Sequence, residues 1–407
     1  MRLDQHLAVH GALPDAGRRG SETSRSLIDE IARAGLRGRG GAAFPTATKL
    51  SAVAAAPGRA VVLANGCEGE PLSHKDSLLL ERLPHLVLDG AIAAARAVGA
   101  DEIVLATAEG ALRGPLHLDL ALRERADLGG RGLKVRLETV PEGYVSGQES
   151  AVVSRLNGGP AKPMAAPRVF ERGLGRRPTL VSNVETLAHI ALIARHGADW
   201  FRSLGTDARP GSTLVTVGGA VARPGVFEIA YGTPVASVMA AAGGVSEPLR
   251  AFLLGGYAGS WVGAEHGYRM ELSGVDSGAL GAGIFFALGE SACPVAEVVH
   301  VAGWMAAQSA GQCGPCVNGL NSIAAALEQV RSGRDGEVAL RRVIHWASLL
   351  ERRGACRHPD GVARFIASAL GVFAADFDRH ALHGACDACP AHRVLPAPMA
   401  LDERMAA

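Results

Sequence analysis

At 407 residues the chain exceeds what one hydrophobic core usually serves, so two or three domains are expected. Lys and Arg number 41 against 40 Asp and Glu, and this balance of +1 excludes the basic field that nucleic acid or an anionic membrane requires. No apolar run reaches the roughly 18 residues of a membrane span, and residues 1–6 lack a signal-peptide core, so the chain is expected in the cytoplasm without direct membrane insertion.

In chain order, residues 23–34 carry apolar side chains at helical spacing (Leu27, Ile28, Ile31, Ala32) until Gly35 stops the helix. A glycine loop follows at Gly38-Arg39-Gly40-Gly41. Residues 59–64 form a β-branched run closed by Asn65-Gly66, which predicts a strand ending in a turn. An alanine-rich helix over 83–98 and a buried strand over 102–106 continue the alternation, which argues for an α/β layer. Helices are predicted up to Leu156 and over 186–203, separated by a Gly/Pro-rich stretch at 158–178. Gly, Asp and Pro then mark a boundary near 205–212. Beyond it, strand 213–219, turn Arg223-Pro224-Gly225, strand 226–229 and helix 235–242 predict a small β-grasp-like module. Four further helices, at 295–308, 316–332, 336–351 and 360–370, suit an antiparallel bundle.

Two motifs carry chemistry. Glycines at 38, 40 and 41 let backbone N–H groups approach a phosphate or flavin closely, with Lys49 as a nearby positive charge. Asn65-Gly66-Cys67-Glu68-Gly69-Glu70 lies at a strand end, where open α/β sheets place ligand contacts. The second motif is Cys313-x2-Cys316 with Cys356 forty residues further on, a spacing of thiolates that suits an iron–sulfur cluster. A cytosolic chain with seven cysteines uses them as metal ligands or buried apolar groups more readily than as disulfides.

The chain resembles the flavin-bearing, NADH-oxidising subunit of respiratory NADH:quinone oxidoreductase and its relatives in hydrogenases and formate dehydrogenases. The resemblance rests on residues 38–46 with Lys49, on 65–76, on Gly143-Tyr144-Val145-Ser146-Gly147-Gln148-Glu149-Ser150, on Ser182-Asn183-Val184-Glu185-Thr186, and on residues 309–316. It implies an FMN-binding α/β domain over 1–205, a soluble-ligand-binding β-grasp domain over 206–280, and a helical iron–sulfur domain over 281–375. Residues 376–407 would be a tail. It further implies that Gly38, Arg39, Gly40, Lys49, Asn65, Tyr144, Gly147, Glu149, Ser182 and Asn183 bind FMN, while Glu68 is a further cofactor-binding candidate or, like Glu70, a solvated loop charge. Glu70 would face a nicotinamide nucleotide, with Phe44 stacked on its adenine. The implied activity is an oxidoreductase that exchanges electrons between FMN, with NADH as a candidate reductant, and the cluster, onward to or from a ferredoxin-like or other redox subunit of a complex that is peripheral to a membrane. The alternative is a relay or assembly subunit that no longer oxidises NADH.

Departures from the family pattern set further expectations. Cys67 and Gln148 replace acidic residues, and Ala166-Pro167-Arg168-Val169 stands where the family has a lysine and an aromatic, so nicotinamide binding should be weaker than flavin binding. Ala310 replaces the first cluster cysteine, which leaves Cys313, Cys316 and Cys356 for a [4Fe-4S] or [3Fe-4S] cluster. Cys386 and Cys389 in the tail, flanked by His383 and His392, could supply a substitute ligand, form a separate zinc site, or bind no metal. Cys293 reads as a buried structural thiol.

Overall fold

The computed structural model describes residues 1–14, 22–125, 132–272, 280–389 and 393–398. They fall into two compact units. The first comprises 1–69, 74–214 and 228–232, and the second 70–73, 215–227 and the chain from 233 onward.

In the first unit, α1 (Leu3–His10), α2 (Glu22–Ala34) and α3 (Thr46–Ala55) precede β1 (Ala60–Gly66), α4 (Lys75–Arg82), α5 (Pro84–Val98) and β2 (Ala100–Ala108). Then come α6 (Arg113–Glu124), β3 (Lys134–Val140), α7 (Glu149–Leu156), β4 (Thr179–Asn183) and α8 (Val184–Arg202). The four strands are parallel in the order β3-β2-β1-β4. Ala60 through Ala64 are all buried, as expected of a central parallel strand covered on both faces. Helix α5 is buried nearly all round, its polar residues His85 and Asp89 included, and its small residues let it lie close to α8. A Cβ at Gly90 would collide with the Leu187 carbonyl. Strand β3 escapes sequence reading because it is a polar edge strand, with Arg136 paired to Glu102 across the β2 register.

The division between units runs through β5 (Ser212–Gly219) and β6 (Gly225–Ala230). The second unit continues with α9 (Val235–Ala241), β7 (Leu249–Leu254), β8 (Ser260–Gly263), α10 (Ala264–Arg269) and β9 (Ile284–Gly289). The sheet order is β6-β5-β9-β7-β8, with β9 parallel to β5 and antiparallel to β7. Because β9 sits between β5 and β7, the sheet extends past the boundary expected at 280. Six consecutive buried residues in β9 hide the alternation that would have announced it.

Helices α11 (Pro294–Ala307), α12 (Asn321–Ser332), α13 (Gly336–Leu350) and α14 (His358–Val372) match the four expected. A fifth, α15 (Ala374–His383), packs on α12 and α13, so the first part of the supposed tail belongs to the helical layer. Among the described residues no helix is long and apolar enough to cross a membrane.

Candidate functional site

The glycine loop is closed at its base like a hairpin. The Gly38 N–H donates to the Phe44 carbonyl at 2.9 Å, and Arg37 bridges to Pro45. Between them, Gly40, Gly41 and Ala42 are exposed, and among the described residues their amides make no hydrogen bond. Gly41 has a φ of 95°, the region that favours glycine. A glycine loop with open N–H groups can cradle an anion, so the chemistry of the loop fits the phosphate of a flavin nucleotide.

Arg39 behaves differently from expectation. Its guanidinium is buried, donates to the Tyr231 hydroxyl and, at 2.8 Å, to the Ser212 carbonyl, and lies 4.8 Å from the Tyr231 ring centroid. It supports the loop from behind rather than reaching into it.

The other residues gather at the C-terminal ends of β1 and β4, where the register sets Asn65 beside Asn183 and Ala64 beside the buried Ser182. Asn65 donates to the Gly147 carbonyl at 2.8 Å and accepts from the Cys67 N–H at 3.1 Å, which pins the 143–148 turn, with half-buried Tyr144, onto β1. A Cβ at Gly147 would stand 2.6 Å from the Cys67 carbonyl oxygen, so only glycine fits there. Lys49 reaches from α3 to the Glu149 carboxylate at 2.6 Å and the Val181 carbonyl at 3.0 Å. Gln148, in the place of a family acid, caps α7 by accepting from the N–H groups of Ser150 and Ala151.

Beneath this surface lies a buried charge cluster that the sequence did not announce. Lys75 pairs with Asp76 at 2.7 Å and with Glu185 at 3.0 Å, while Asn183 caps α8 and donates to Asp76 at 2.6 Å. Burial pushes Asp76 up to about 6. Burial also opposes the charges of Lys75 and Glu185, yet Asp76 and then Glu185 hold Lys75 above its ordinary range, and Lys75, with His189 and Arg39, holds Glu185 below its own. Cys67 is pushed up to about 12 by burial and by Asp76, so its thiol stays protonated.

Two expected cofactor contacts are occupied elsewhere. Glu68 accepts from the N–H groups of Asp76 and Ser77, both at 3.1 Å, and so caps α4. Glu70 belongs to the second unit, where its carboxylate accepts from the Tyr257 N–H at 2.8 Å. Val169, expected to stand in for a nucleotide-facing aromatic, is instead a core residue packed with Val61, Val152 and Val181.

In the second unit, Cys316 lies on a π-helical turn (Pro315–Leu320) leading into α12, with its sulfur 3.8 Å from that of Cys313. Backbone N–H groups of Ala355 and Cys316 serve the Cys313 sulfur, that of Gly311 serves Cys316, and that of His358 serves Cys356. Burial works against ionisation of Cys313, but those amides outweigh it and lower the thiol. Cys316 is pushed up to about 11 by burial and by Cys313. A trio of sulfurs dressed by amides suits a cluster of net negative charge. Ala310, 3% exposed, offers no ligand to it.

Cys386 and Cys389 do not complete this trio. They meet Cys293 and His380 instead, and the Nδ1 of His380 faces the Arg331 carbonyl at the far end of α12. Fifteen residues of helix separate Cys316 from Arg331, about 22 Å. His380 was missed and Cys293 was read as inert, while His392 lies outside the described residues. A clue was present, since three thiols for one cluster leave Cys293 unassigned beside a C-x2-C pair.

An open anion cradle at parallel strand ends and three cysteines served by backbone amides fit an electron-transferring oxidoreductase component of the flavin and iron–sulfur class. Residues 31–192 match the model of the Nuo51 FMN-binding domain, 214–256 that of the SLBB domain, and 296–380 that of the NADH-ubiquinone oxidoreductase-F iron–sulfur binding region. The chain is 30% identical to the NADH-quinone oxidoreductase F component of Streptomyces coelicolor, over 90% of this chain and 85% of the relative. It is 28% identical to the F 2 component of the same enzyme in Rhizobium meliloti, over 89% and 90%. A crystal structure of an NAD+-reducing [NiFe]-hydrogenase in the H2-reduced state superposes with a TM-score of 0.84 at 30% identity. That match covers 94% of this chain, which spans 66% of the hydrogenase chain. The protein therefore belongs to the family of F components of NADH-quinone oxidoreductase.

Proposed function

We propose that this chain holds FMN over the open 40–42 amides, with Gly38, Lys49, Asn65, Tyr144, Gly147, Glu149, Ser182 and Asn183 lining the pocket. When bound, FMN supplies hydride acceptance and the release of electrons one at a time. The chain's own residues bind and orient. The open loop amides take the phosphate, Glu149 holds the Lys49 ammonium at the pocket, and Asn65 fixes the turn bearing Tyr144 and Gly147. Cys313, Cys316 and Cys356 would hold the cluster, which exchanges electrons with a ferredoxin-like or other redox subunit. The observation that carries this reading is the set of unpaired loop amides at the C-terminal ends of parallel strands.

NADH is the proposed reductant, with half-exposed Phe44 available to stack on an adenine. The alternative, a relay or assembly role without NADH oxidation, is favoured by the core position of Val169 and the protonated Cys67. Titration of anaerobic apoprotein with FMN tests the first part, with Lys49→Ala expected to lower occupancy. No quenching of flavin fluorescence by the wild-type chain would overturn it. NADH added to the loaded protein then separates the two readings by bleaching the flavin band or leaving it unchanged.

A further inference from the structure

Cys293, His380, Cys386 and Cys389 come from three separate places in the chain and converge in one buried spot. Cys293 caps the N-terminus of α11, His380 lies on α15, and Cys386 and Cys389 flank a turn closed by the Cys389 N–H to the Cys386 carbonyl at 3.0 Å. Cys293, Cys389 and His380 are at most 4% exposed. The sulfurs of Cys293 and Cys389 stand 3.5 Å apart, those of Cys386 and Cys389 3.8 Å, and His380 Nε2 lies 3.4 Å from Cys293 and 3.9 Å from Cys389. All four donor atoms lie within 4.8 Å of one another.

We propose that these four residues form a closed tetrahedral site for one zinc ion, separate from the cluster trio. With Zn–S about 2.3 Å and Zn–N about 2.0–2.1 Å, a regular tetrahedron has S–S edges of about 3.8 Å and S–N edges of about 3.6 Å, which the observed separations bracket. A polynuclear cluster, which attaches each thiolate to a different iron, would hold the sulfurs further apart. The surroundings fit a metal as well. His380 Nδ1 faces the Arg331 carbonyl at 3.3 Å, which fixes the proton there and turns the Nε2 lone pair inward. The Ala296 N–H donates to the Cys293 sulfur at 3.4 Å. Four protein ligands leave no open position, so the site is structural rather than catalytic.

Its role follows from what lies beyond it. Residues 394–398 run along α11 as a strap, where the N–H groups of Val394 and Leu395 donate to the buried Glu297 carboxylate at 3.3 and 2.9 Å. Trp304 Nε1 donates to the Pro398 carbonyl at 2.8 Å, and the Tyr257 hydroxyl donates to that of Pro396. The zinc ion joins the start of α11, the end of α15 and this returning strap, and zinc itself carries no electrons.

The test is metal analysis of the full chain purified anaerobically, alongside Cys386→Ser/Cys389→Ser and His380→Cys. The wild type should hold about one zinc per chain in addition to its iron. The double serine variant should lose that zinc while keeping its iron content and paramagnetic resonance signature, and His380→Cys should retain zinc with four thiolates. Should the serine variant fail to fold, cobalt-substituted wild type still decides, because tetrahedral thiolate coordination gives intense visible bands. Zinc absent from the wild type, zinc unaltered in the double variant, iron in place of zinc, or a Cys386–Cys389 disulfide would each overturn the proposal.

Discussion

Glu185 is the place where the first unit is most exposed to a single substitution. Its side chain is 1% exposed and accepts from Thr213 Oγ1 at 2.9 Å and the Leu214 N–H at 2.8 Å, while Lys75 stands at 3.0 Å and Arg39 Nε at 3.9 Å. Glu185→Gln keeps an oxygen for the two neutral donors but strips two buried cations of their shared counter-charge. Breaking a buried pair from one side costs about 3–5 kcal/mol, and the retained hydrogen bonds place this variant near the lower figure. With an unfolding entropy of about 2.1 cal/mol/K per residue over a unit of roughly 200 residues, a loss of about 3 kcal/mol lowers the melting temperature by about 7 °C. Calorimetry on anaerobic apoprotein measures this directly. Lys75 keeps Asp76 at 2.7 Å in that variant, so adding Lys75→Met together with Asp76→Asn, which removes both of those charges at once, should recover part of the loss, since a buried ion pair replaced as a whole is often close to neutral. A melting temperature within about 2 °C of wild type, or a triple variant less stable than the single one, would refute the reasoning.

Val169→Phe should not create a nucleotide shelf; in the packed cluster around Val61 and Val181 it should destabilise by about 1–3 kcal/mol in urea unfolding, whereas exposed Ala166→Lys should leave stability unchanged. Ala310→Cys places a fourth thiolate beside Cys313 and Cys316, and should lengthen the survival of the cluster's visible absorbance in air; an unchanged half-life would mean that a non-cysteine ligand already closes that corner. Acid should weaken the first unit. Against the opposing pull of burial, His6, Arg125 and Arg195 hold Asp89 well below the carboxylate range, while burial lowers His10 and His85. Groups with depressed folded values contribute stability above their unfolded values, so the loss begins below about pH 6.5 for the histidines and deepens below about pH 4 for Asp89. Asp76, held near 6, pulls the other way between about pH 4 and 6, so the Asp89 share is read as the difference from Asp89→Asn in urea midpoints at several pH values.

What the sequence made legible was whatever is local. The β-branched run of β1 and its Asn65-Gly66 end, the helical periods of α11 to α14 and the Cys313-x2-Cys316 spacing each need only a few neighbouring residues to be read. What it hid depends on partners far away. Nothing near Arg39 says that its guanidinium turns inward to Tyr231, 192 positions later. Nothing near His380 distinguishes it from His383, three residues on, and only the packing of α15 on α12 brings the former to Cys293. The apolar run of β9 defeated periodicity because it is buried on both faces, whereas in β3 the alternation is present, with Val135 and Leu137 packed against the core, but is masked by Lys134, Arg136 and Glu138.

The inward-facing Arg39 also bears on the order in which the molecule matures. The loop that presents Gly40 and Gly41 is braced by a hydroxyl and a carbonyl supplied by Tyr231 and Ser212, both downstream of the 31–192 segment that matches the flavin-domain model. During synthesis, therefore, the first two hundred residues can collapse around β1 and α5 while the loop still lacks its brace. An excised fragment ending near residue 192 would bury a guanidinium with neither partner. Competence to load flavin would then be a late event in the biogenesis of this chain, gained only once Tyr231, just past β6, has left the ribosome and docked.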